Sequence, residues 1–283
     1  PEDIGPVAVH EATGVLDVVA RDEADAVATA RRVLGHLSLR RDPAADAVAL
    51  SADLSRAAVP ADRLRAFSMR SVLASVADAD SLLEVRPRYA PGAITGFLRV
   101  AGAPFAFIAN DNSHLGGAID VDAARSFTQH LELADDHGLP VLSFVDTPGF
   151  MVGPDAEREP GVRAFGDLFV AGARLRSPLG AFVIRKGYGL GAMAMVGGGF
   201  SAPHFTVAWP SGEIGPMGLE GAVRLGYAKE LAAIDDPHAR AAREAELVEE
   251  LYDQGRAMTA ARVFDVDDVI DPADSPTWAG TLA

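Results

Sequence analysis

The sequence predicts an α/β protein. Apolar, strand-like runs alternate with helical patterns from residue 94 onward, Gly and Pro residues bound these runs, and the chain contains no short-period repeat. The 283 residues are 49% apolar and 23% charged and include 28 glycines. This composition is ordinary for an α/β domain large enough to bury a core.

Composition and charge exclude several kinds of chemistry and partner. The chain has no cysteine, which excludes disulfides, thiolate nucleophiles and zinc–thiolate sites and fits a reducing compartment, so we expect a cytoplasmic protein. No apolar run approaches the roughly 20 residues of a membrane helix. A formal net charge of −15 opposes binding to nucleic acid. We therefore expect neither a membrane nor a nucleic-acid partner.

The first elements in order are a helix, a connector and a second helix. Apolar residues recur at helical spacing over 22–37 after an acidic first turn, which predicts an amphipathic helix. Residues 41–61 hold two prolines and no periodicity, so we expect a surface connector with a domain boundary near residue 60. A second helix is predicted over 61–77.

A hairpin and a strand–helix unit follow. Runs rich in β-forming residues flank the turn AGAP at 101–104, which predicts a hairpin. The helix over 123–138 is predicted to be capped by Asp122 and to stop at Gly138, before the buried strand VLSFV.

The same alternation continues towards the end of the chain. The predicted elements are a loop (146–161), a helix (162–176), a strand (181–187), a glycine-rich helix, a strand (205–210), a loop, a helix (218–234), a charged helix from 237 to about 258, and a docked loop (269–280).

The strongest candidate site is the glycine-rich stretch RKGYGLGAMAMVGGG, residues 185–199. A tight turn into a helix would aim the N–H groups of Gly191 and Ala192 at one point, where they could bind an oxyanion or a phosphate. Spacing alone favours equally a helix packed so tightly that only Gly and Ala fit. Gly187, Gly189 and Ala192 also match the pattern G-x-G-x-x-A, but no following strand ends in an acidic residue, which argues against dinucleotide binding.

Two loops are weaker candidates. VDTPGF, residues 145–150, follows a predicted strand at the edge where α/β proteins bind ligands. Gly149 can take a positive φ there and expose its amide, although local features favour a plain strand exit. The run WPSGEIGPMGLEGAVR, residues 209–224, is more typical of a packed loop.

Histidines offer little support for a metal site. His130 and His137 share one face of a helix, but we expect both to be solvated. His114 is expected to serve in a loop or a cap rather than as a ligand. The sequence contains neither a G-x-S-x-G nucleophile elbow nor a P-loop, and we predict no metal.

Five segments, taken together and in order, carry a resemblance to a known family. They are IANDNSHLGGAID, PVLSFVDTPGF, FVIRKGYGLGAMAMVGGG, FTVAWPSGEIGPMGLEGAVRLGY and FDVDDVIDPAD. They closely resemble the second half of the carboxyltransferase β subunit of biotin-dependent acetyl- and propionyl-CoA carboxylases. The match covers residues 62–283, and residues 14–37 resemble the closing helix of the family's first half.

The resemblance implies a crotonase-like fold, a spiral of ββα units, with an active site between the first half of one subunit and the second half of another. We therefore expect residues 1–60 to be the end of an otherwise missing first half plus a linker, and 61–283 to be the second carboxyltransferase domain. By the same resemblance, this second half receives carboxybiotin, and the first half holds the acyl-CoA.

The resemblance also implies roles for individual residues. The amides of Gly191 and Ala192 would hold the ureido oxygen of biotin, and the biotin nitrogen itself would take the α-proton of the thioester, so no reactive side chain is needed. Gly149, Phe150, Gly189 and Leu190 would contact the cofactor, and Met193 and Ala194 would line the substrate pocket. A bulky β-branched residue at Gly191 is expected to abolish transfer and to leave thermal unfolding unchanged.

The predicted function is transfer of a carboxyl group from carboxybiotin to a short-chain acyl-CoA. The expected partners are a biotin carboxyl carrier, a biotin carboxylase subunit and the missing first half, in a homo- or hetero-oligomer. Two alternatives stay open, namely an acyl-CoA decarboxylase of the same fold and a non-catalytic scaffold subunit.

Overall fold

One mixed β-sheet organises the chain. The computed structural model describes residues 4–42 and 52–283. The strands are β1 (Leu83–Val85), β2 (Ala93–Val100), β3 (Ala103–Asn110), β4 (Val141–Thr147), β5 (Leu179–Tyr188), β6 (Phe205–Ala208), β7 (Glu213–Gly215) and β8 (Asp268–Val269). Their order in the sheet is β1-β2-β3-β4-β5-β6-β8, and β7 pairs with the end of β5.

Helices follow most strands. They are α1 (Val7–Ala12), α2 (Glu23–Leu37), α3 (Ala52–Ala57), α4 (Met69–Val76), α5 (Val121–Asp136), α6 (Gly161–Arg174), α7 (Gly189–Met195), α8 (Leu219–Gly226), α9 (Ala228–Ala232), α10 (Pro237–Gly255), α11 (Ala257–Arg262) and α12 (Ser275–Ala279). The predicted α/β class is confirmed. Within the described ranges, no helix combines the length and the apolar character that crossing a bilayer requires.

The predicted hairpin is formed by β2 and β3, which pair antiparallel with Val100 opposite Ala103. Both residues of the connecting turn have positive φ, 48° at Ala101 and 79° at Gly102. Two-residue hairpin turns favour this conformation because it matches the twist of the strands.

From β3 onward the sheet is parallel, because α5 and α6 return the chain to the starting edge. Helices cover both faces. Phe127 of α5, Leu168 of α6 and Ala192 of α7 belong to the apolar cluster on one face, whereas Leu73 of α4 and Leu282 belong to the cluster on the other. Burial on both faces explains why β3 and β4 are buried along their whole lengths.

Two predicted helix starts are wrong. Helix α4 begins at Met69 rather than at residue 61, because the Ser68 side chain accepts the N–H of Ser71 and caps the helix there. Helix α5 is capped by Asp120, whose carboxylate accepts the N–H of Ala123 at 2.8 Å. The predicted cap Asp122 therefore lies inside the first turn.

The C-terminal region contains more and shorter secondary-structure elements than predicted. The helix expected over 218–234 divides at Tyr227, whose backbone leaves the helical region. Helix α10 ends at Gly255, where the carbonyl of Ile214 approaches so closely that a Cβ would lie 2.7 Å from it. Strand β7 forms in the region predicted as a loop, and the docked tail contains a short strand and helical turns.

The N-terminal region agrees in part with expectation. Helix α2 is present, with Asp22 as its cap. Of the predicted connector, residues 43–51 lie outside the described residues, and α3 occupies part of the remainder. The boundary near residue 60 and the division into residues 1–60 and 61–283 stay predictions.

The expectation that His130 is solvated is wrong. The side chain is fully buried, and its Nε2 lies 2.8 Å from the carbonyl oxygen of Gly96. The helical repeat places His130 on the inward face with Phe127 and Leu131, whereas His137 is exposed. Among the described residues, no three His, Cys, Asp or Glu side chains form a group that could hold a metal.

We predict that acid destabilises the fold through its buried histidines. Burial lowers the pKa of His130 and His36 to about 4, from an ordinary value of 6.5. Between these values the unfolded chain binds more protons than the folded chain, so stability falls as the pH drops through this window. The loss for His130 should reach about 1.4 kcal/mol per pH unit. Urea denaturation between pH 7 and pH 5 measures it.

His130→Gln should reduce this pH dependence to the part that His36 contributes, since the amide can still donate to Gly96 but does not titrate. His137→Gln, at an exposed position of the same helix, is the matched control and should retain the dependence. An equal slope in both variants would contradict the assignment.

Candidate functional site

The glycine-rich turn joins β5 to α7 and packs on the loop that follows β4. Gly189 has a φ of 58° and begins the helix after Tyr188, whose side chain caps nothing. A Cβ on Gly191 would lie 2.6 Å from the carbonyl carbon of Gly149 and 2.9 Å from the backbone nitrogen of Phe150. The interpretation of tight packing that admits only glycine therefore holds at this position.

The start of α7 also presents backbone donors. The N–H groups of Gly189, Leu190 and Gly191 have no carbonyl one turn earlier in the helix, and the helix dipole makes this end positive. Ala192 is the fourth helical residue, so regular pairing directs its N–H to the carbonyl of Tyr188. A ligand oxygen bound at this end of the helix could accept the Gly191 N–H directly. To accept the Ala192 N–H as well, it would have to compete with the Tyr188 carbonyl.

The loop after β4 supplies a further donor, but not the one expected. Gly149 has the predicted positive φ, 124°, yet its N–H donates to the Thr147 hydroxyl at 3.1 Å and its carbonyl accepts the N–H of Ile119. The expected exposed amide of Gly149 is therefore wrong, because the Thr147 side chain folds back over the turn. The next N–H, that of Phe150, has no protein acceptor in the part of the chain that the structure describes.

Aromatic stacking holds this loop in place. The Phe150 ring stacks on Phe165 of α6, with centroids 4.1 Å apart and planes at 16°, and meets Phe169 edge-on at 6.1 Å. Such contacts are worth about 1 kcal/mol beyond burial. They fix the Gly149–Phe150 peptide against the start of α7.

The remaining predicted site residues differ in accessibility. Leu190 is 62% exposed, whereas Met193 is half-buried. Ala194 has no exposed surface and belongs to the apolar core beside α6. The structure thus brings Gly149, Phe150 and Gly191 into contact, and it places Ala194 beneath them.

A buried ionic cluster beneath the two loops was missed by the sequence analysis. Asp146, in β4, has no exposed surface. Its carboxylate accepts the Arg185 guanidinium at 3.2 Å and the backbone N–H of Lys186 at 3.0 Å, and the Lys186 ammonium lies 3.6 Å away. Its own N–H donates to the Asn110 side chain at 3.1 Å. Asp146 thus links the end of β4 to that of β5 through its carboxylate and to that of β3 through its backbone N–H.

The two cations extend the cluster. The Lys186 ammonium donates to the carbonyl of Gly116 at 2.5 Å, and burial lowers the pKa of this lysine while Asp146 opposes that shift. Arg185 donates to the carbonyl of Arg65 at 2.7 Å and lies over the Phe67 ring. An acidic residue in an apolar strand, followed by a basic pair at the end of the next strand, is the signal that could have revealed this cluster.

Glu213 is a second buried acid, and it lies next to the residue that precedes α7. The Tyr188 hydroxyl donates to Glu213 of β7, and burial raises the pKa of both groups. This hydrogen bond supports the pairing of β5 with β7. It also occupies the Tyr188 hydroxyl, which removes this group as a free proton donor.

His114 and the G-x-G-x-x-A pattern, the other candidates from the sequence, do not form a site in the described residues. His114 caps no helix with its side chain and lies 3.5 Å from Asp120, which fits the expected loop role. Strand β6 is followed by Trp209 and Pro210, so the acidic residue of a dinucleotide site is absent from its end, as expected.

Comparison with known proteins agrees with the resemblance. The model of the carboxyl transferase domain family matches residues 2–278. The methylmalonyl-CoA carboxyltransferase 12S subunit of Propionibacterium freudenreichii subsp. shermanii is 32% identical over 280 residues, which is 97% of this chain and 53% of the relative. The chain therefore spans about half the length of the curated relatives it matches.

Two solved structures are similar over the whole chain. A single-chain, multi-domain long-chain acyl-CoA carboxylase is 50% identical with a TM-score of 0.91, covering 100% of this chain and 28% of that one. The hexameric transcarboxylase 12S is 30% identical with a TM-score of 0.87, covering 99% and 55%. The expected crotonase-like fold is confirmed.

We predict that Gly191→Ala destabilises the protein. The added Cβ would overlap the Gly149 and Phe150 backbone, and such overpacking costs about 1–3 kcal/mol. The expectation that a bulky residue here leaves thermal unfolding unchanged is therefore wrong. Gly199→Ala is the matched control, because nothing lies within 4 Å of its Cβ position. The urea midpoint should fall for Gly191→Ala alone; equal midpoints would refute the contact.

We predict a larger loss for Asp146→Asn, because it leaves the buried Arg185 and the adjacent Lys186 without their shared counter-charge. Removing one partner of a buried ion pair costs about 3–5 kcal/mol. Asp155→Asn breaks an exposed pair with Arg158 and should change the free energy of unfolding by less than about 1 kcal/mol. Chemical denaturation of both variants tests the difference, and similar losses would contradict the role of Asp146.

Proposed function

The chain belongs to the carboxyl transferase domain family, and we propose that it is the carboxyltransferase component of a biotin-dependent acyl-CoA carboxylase. In this proposal it transfers a carboxyl group from carboxybiotin to the α-carbon of an acyl-CoA and supplies the biotin-side half of the site. The observation that carries the proposal is the bare Gly191 backbone at the start of α7, held against the Gly149–Phe150 peptide.

The residues present fit a bound ureido group. The Gly191 backbone packs against the Gly149–Phe150 peptide with no side chain between them, and the neighbouring Phe150 N–H lacks a protein acceptor among the described residues. In the proposed site the N–H groups of Gly191 and Ala192 donate to the ureido oxygen, and Ala192 releases the Tyr188 carbonyl to do so. The Gly191 N–H has no helical acceptor to release, so it can stabilise developing negative charge without reorganisation.

The chain's own side chains play supporting parts. When bound, carboxybiotin supplies the carboxyl group and the nitrogen that accepts the α-proton. Asp146 holds the two loops at their separation, and the Phe150 ring excludes water from one side of the site. Gly149, Gly189 and Leu190 are proposed to contact the cofactor, and Met193 to border the substrate pocket with Ala194 beneath it.

Partners follow from this division of the site. We propose that a biotin carboxyl carrier delivers the cofactor, that a biotin carboxylase subunit loads it, and that a first carboxyltransferase half completes the acyl-CoA side within a homo- or hetero-oligomer. The hexameric assembly of the transcarboxylase 12S relative supports an oligomer. A cytoplasmic location remains part of the proposal.

Reconstitution tests the function. The chain is combined with the first half, biotin carboxylase, biotinylated carrier, ATP and labelled bicarbonate, and label transfer to acetyl-, propionyl- and butyryl-CoA is measured. We expect acid-stable label in the acyl-CoA, dependent on the first half. Gly191→Ala keeps the backbone N–H, but its Cβ should push the turn away from Gly149–Phe150 and displace that donor, so per folded molecule the rate should fall by about 10²-fold, as for the loss of one oxyanion donor, whereas Gly199→Ala should not lower it.

The alternatives give different outcomes. Decarboxylation of malonyl- or methylmalonyl-CoA without label transfer would replace the proposal with the decarboxylase. Neither reaction, with the first half supplied and all chains folded, would leave the scaffold role. Equal rates in both glycine variants would remove the amide assignment but not the activity.

A further inference from the structure

A cavity of about 700 Å³ lies where the connector between α3 and α4, the ends of β5 and β6, α10 and the C-terminal tail meet. Trp209 and Ile270, in its wall, belong to the apolar cluster on one face of the sheet, whereas Ala192 belongs to the cluster on the other. The cavity is therefore separate from the proposed amide site. Protein sites for small organic ligands commonly measure roughly 300–1,000 Å³.

The cavity concentrates positive charge in an acidic protein. Its described lining residues include three arginines, Arg56, Arg63 and Arg185, but one acid, Asp271, in a chain with a formal net charge of −15. Charges of one sign between apolar walls focus the local electric field and attract the opposite charge. This lining therefore favours an anionic ligand.

The arginines differ in how far an acid already matches their charge. Arg56 pairs with Asp271, with nitrogen and oxygen 2.6 Å apart. Arg63 has one hydrogen-bond acceptor among the described residues, the carboxylate of Glu220 at 3.5 Å, and that side chain is 52% exposed. A long, solvent-exposed pair of this kind is weak. Because the guanidinium of Arg63 also lies over the Tyr252 ring, 5.2 Å from its centroid, this cation is held in place with N–H groups left for a ligand.

The buried Arg185 adds to the positive charge. It shares the single carboxylate of Asp146 with Lys186. Its Nε is buried and has no hydrogen-bond partner in the part of the chain that the structure describes. The other buried acid on this side, Glu213, bonds to Tyr188 instead. Two cations against one carboxylate leave a positive charge behind the cavity that an anion can offset.

Much of the remaining wall is apolar. Val59, Met258 and Ile270 contribute side chains to it, together with the Tyr252 ring. A bare inorganic ion would leave this surface in contact with water, whereas an organic anion would cover it and gain the free energy of apolar burial.

We propose that this cavity binds an organic anion with an apolar body, which places its charged group on Arg63 and its body against Val59, Met258 and Ile270. Binding here does not depend on carboxyl transfer, because the cavity and the amide site lie on opposite faces of the sheet. A failure of the proposed function would leave the cavity as it is.

Fluorescence titration of the chain tests the site with two probes that differ in charge. Anilinonaphthalene sulfonate is an apolar ring system with one anionic group, and phenylnaphthylamine has the same rings without it. Arg63→Gln should weaken binding of the sulfonate at least about tenfold, since a hydrogen bond to a charged group contributes roughly that much, and should leave the neutral probe unchanged. Arg224→Gln is the matched control, because this exposed arginine pairs with Glu244 outside the cavity. It should change neither affinity.

A second pair of variants keeps the test independent of Arg63. Met258 lies in the wall and is 56% exposed, so a charged residue is tolerated there. Met258→Glu should weaken binding of the sulfonate and Met258→Lys should strengthen it. Equal sulfonate affinity in these two variants, or in the unaltered and folded Arg63→Gln proteins, would overturn the proposal.

Competition identifies the anionic group. Displacement of the sulfonate probe by ADP would assign a phosphate ligand, and displacement by naphthoate would assign a carboxylate. Displacement by neither would overturn the proposal, because the probe would then report only its own rings.

Discussion

The site depends on one buried carboxylate, that of Asp146. A buried carboxylate without water is costly unless cations and N–H groups surround it, and here the Arg185 and Lys186 side chains and the Lys186 backbone N–H, all at the end of β5, meet that requirement. The backbone N–H of Asp146 donates in turn to the Asn110 side chain at the end of β3. These partners hold the β3, β4 and β5 ends in register. The loops leaving β4 and β5, which carry Phe150 and Gly191, start from this junction, so their spacing follows from an interaction that touches no ligand.

Above this junction the chemistry is confined to the backbone. Gly191 packs on the Gly149–Phe150 peptide too closely for any side chain. Its N–H is available because no helical carbonyl lies one turn before the start of α7, where the helix dipole is positive. Tight packing and donor presentation therefore meet at one residue. A site built this way stabilises charge but supplies no base or nucleophile, so in the proposed function the cofactor supplies the reactive atoms.

Local patterns predicted much of the architecture. The β2–β3 hairpin, α2, α6 and the β4 and β5 strands follow from periodicity and turn residues close in sequence. The misses share a different origin. Strand β7 pairs with β5, where Glu213 bonds to Tyr188, and His130 is buried because α5 packs on β2 and the ring meets the Gly96 carbonyl there. Both depend on residues more than 20 positions away, which no local pattern contains.

The candidate site was likewise predicted in part from local sequence and decided in part by the fold. Residue order alone was sufficient to single out Gly191, Ala192 and the VDTPGF loop, because glycine, proline and their spacing restrict the backbone directly. It left open whether the glycines allow close packing or present hydrogen-bond donors, and it predicted that the exposed N–H of the VDTPGF loop belongs to Gly149. Folding reversed that last assignment, since the Thr147 hydroxyl satisfies Gly149 and leaves the Phe150 N–H open. Hydrogen-bond partners are settled by three-dimensional proximity, which the order of residues does not specify.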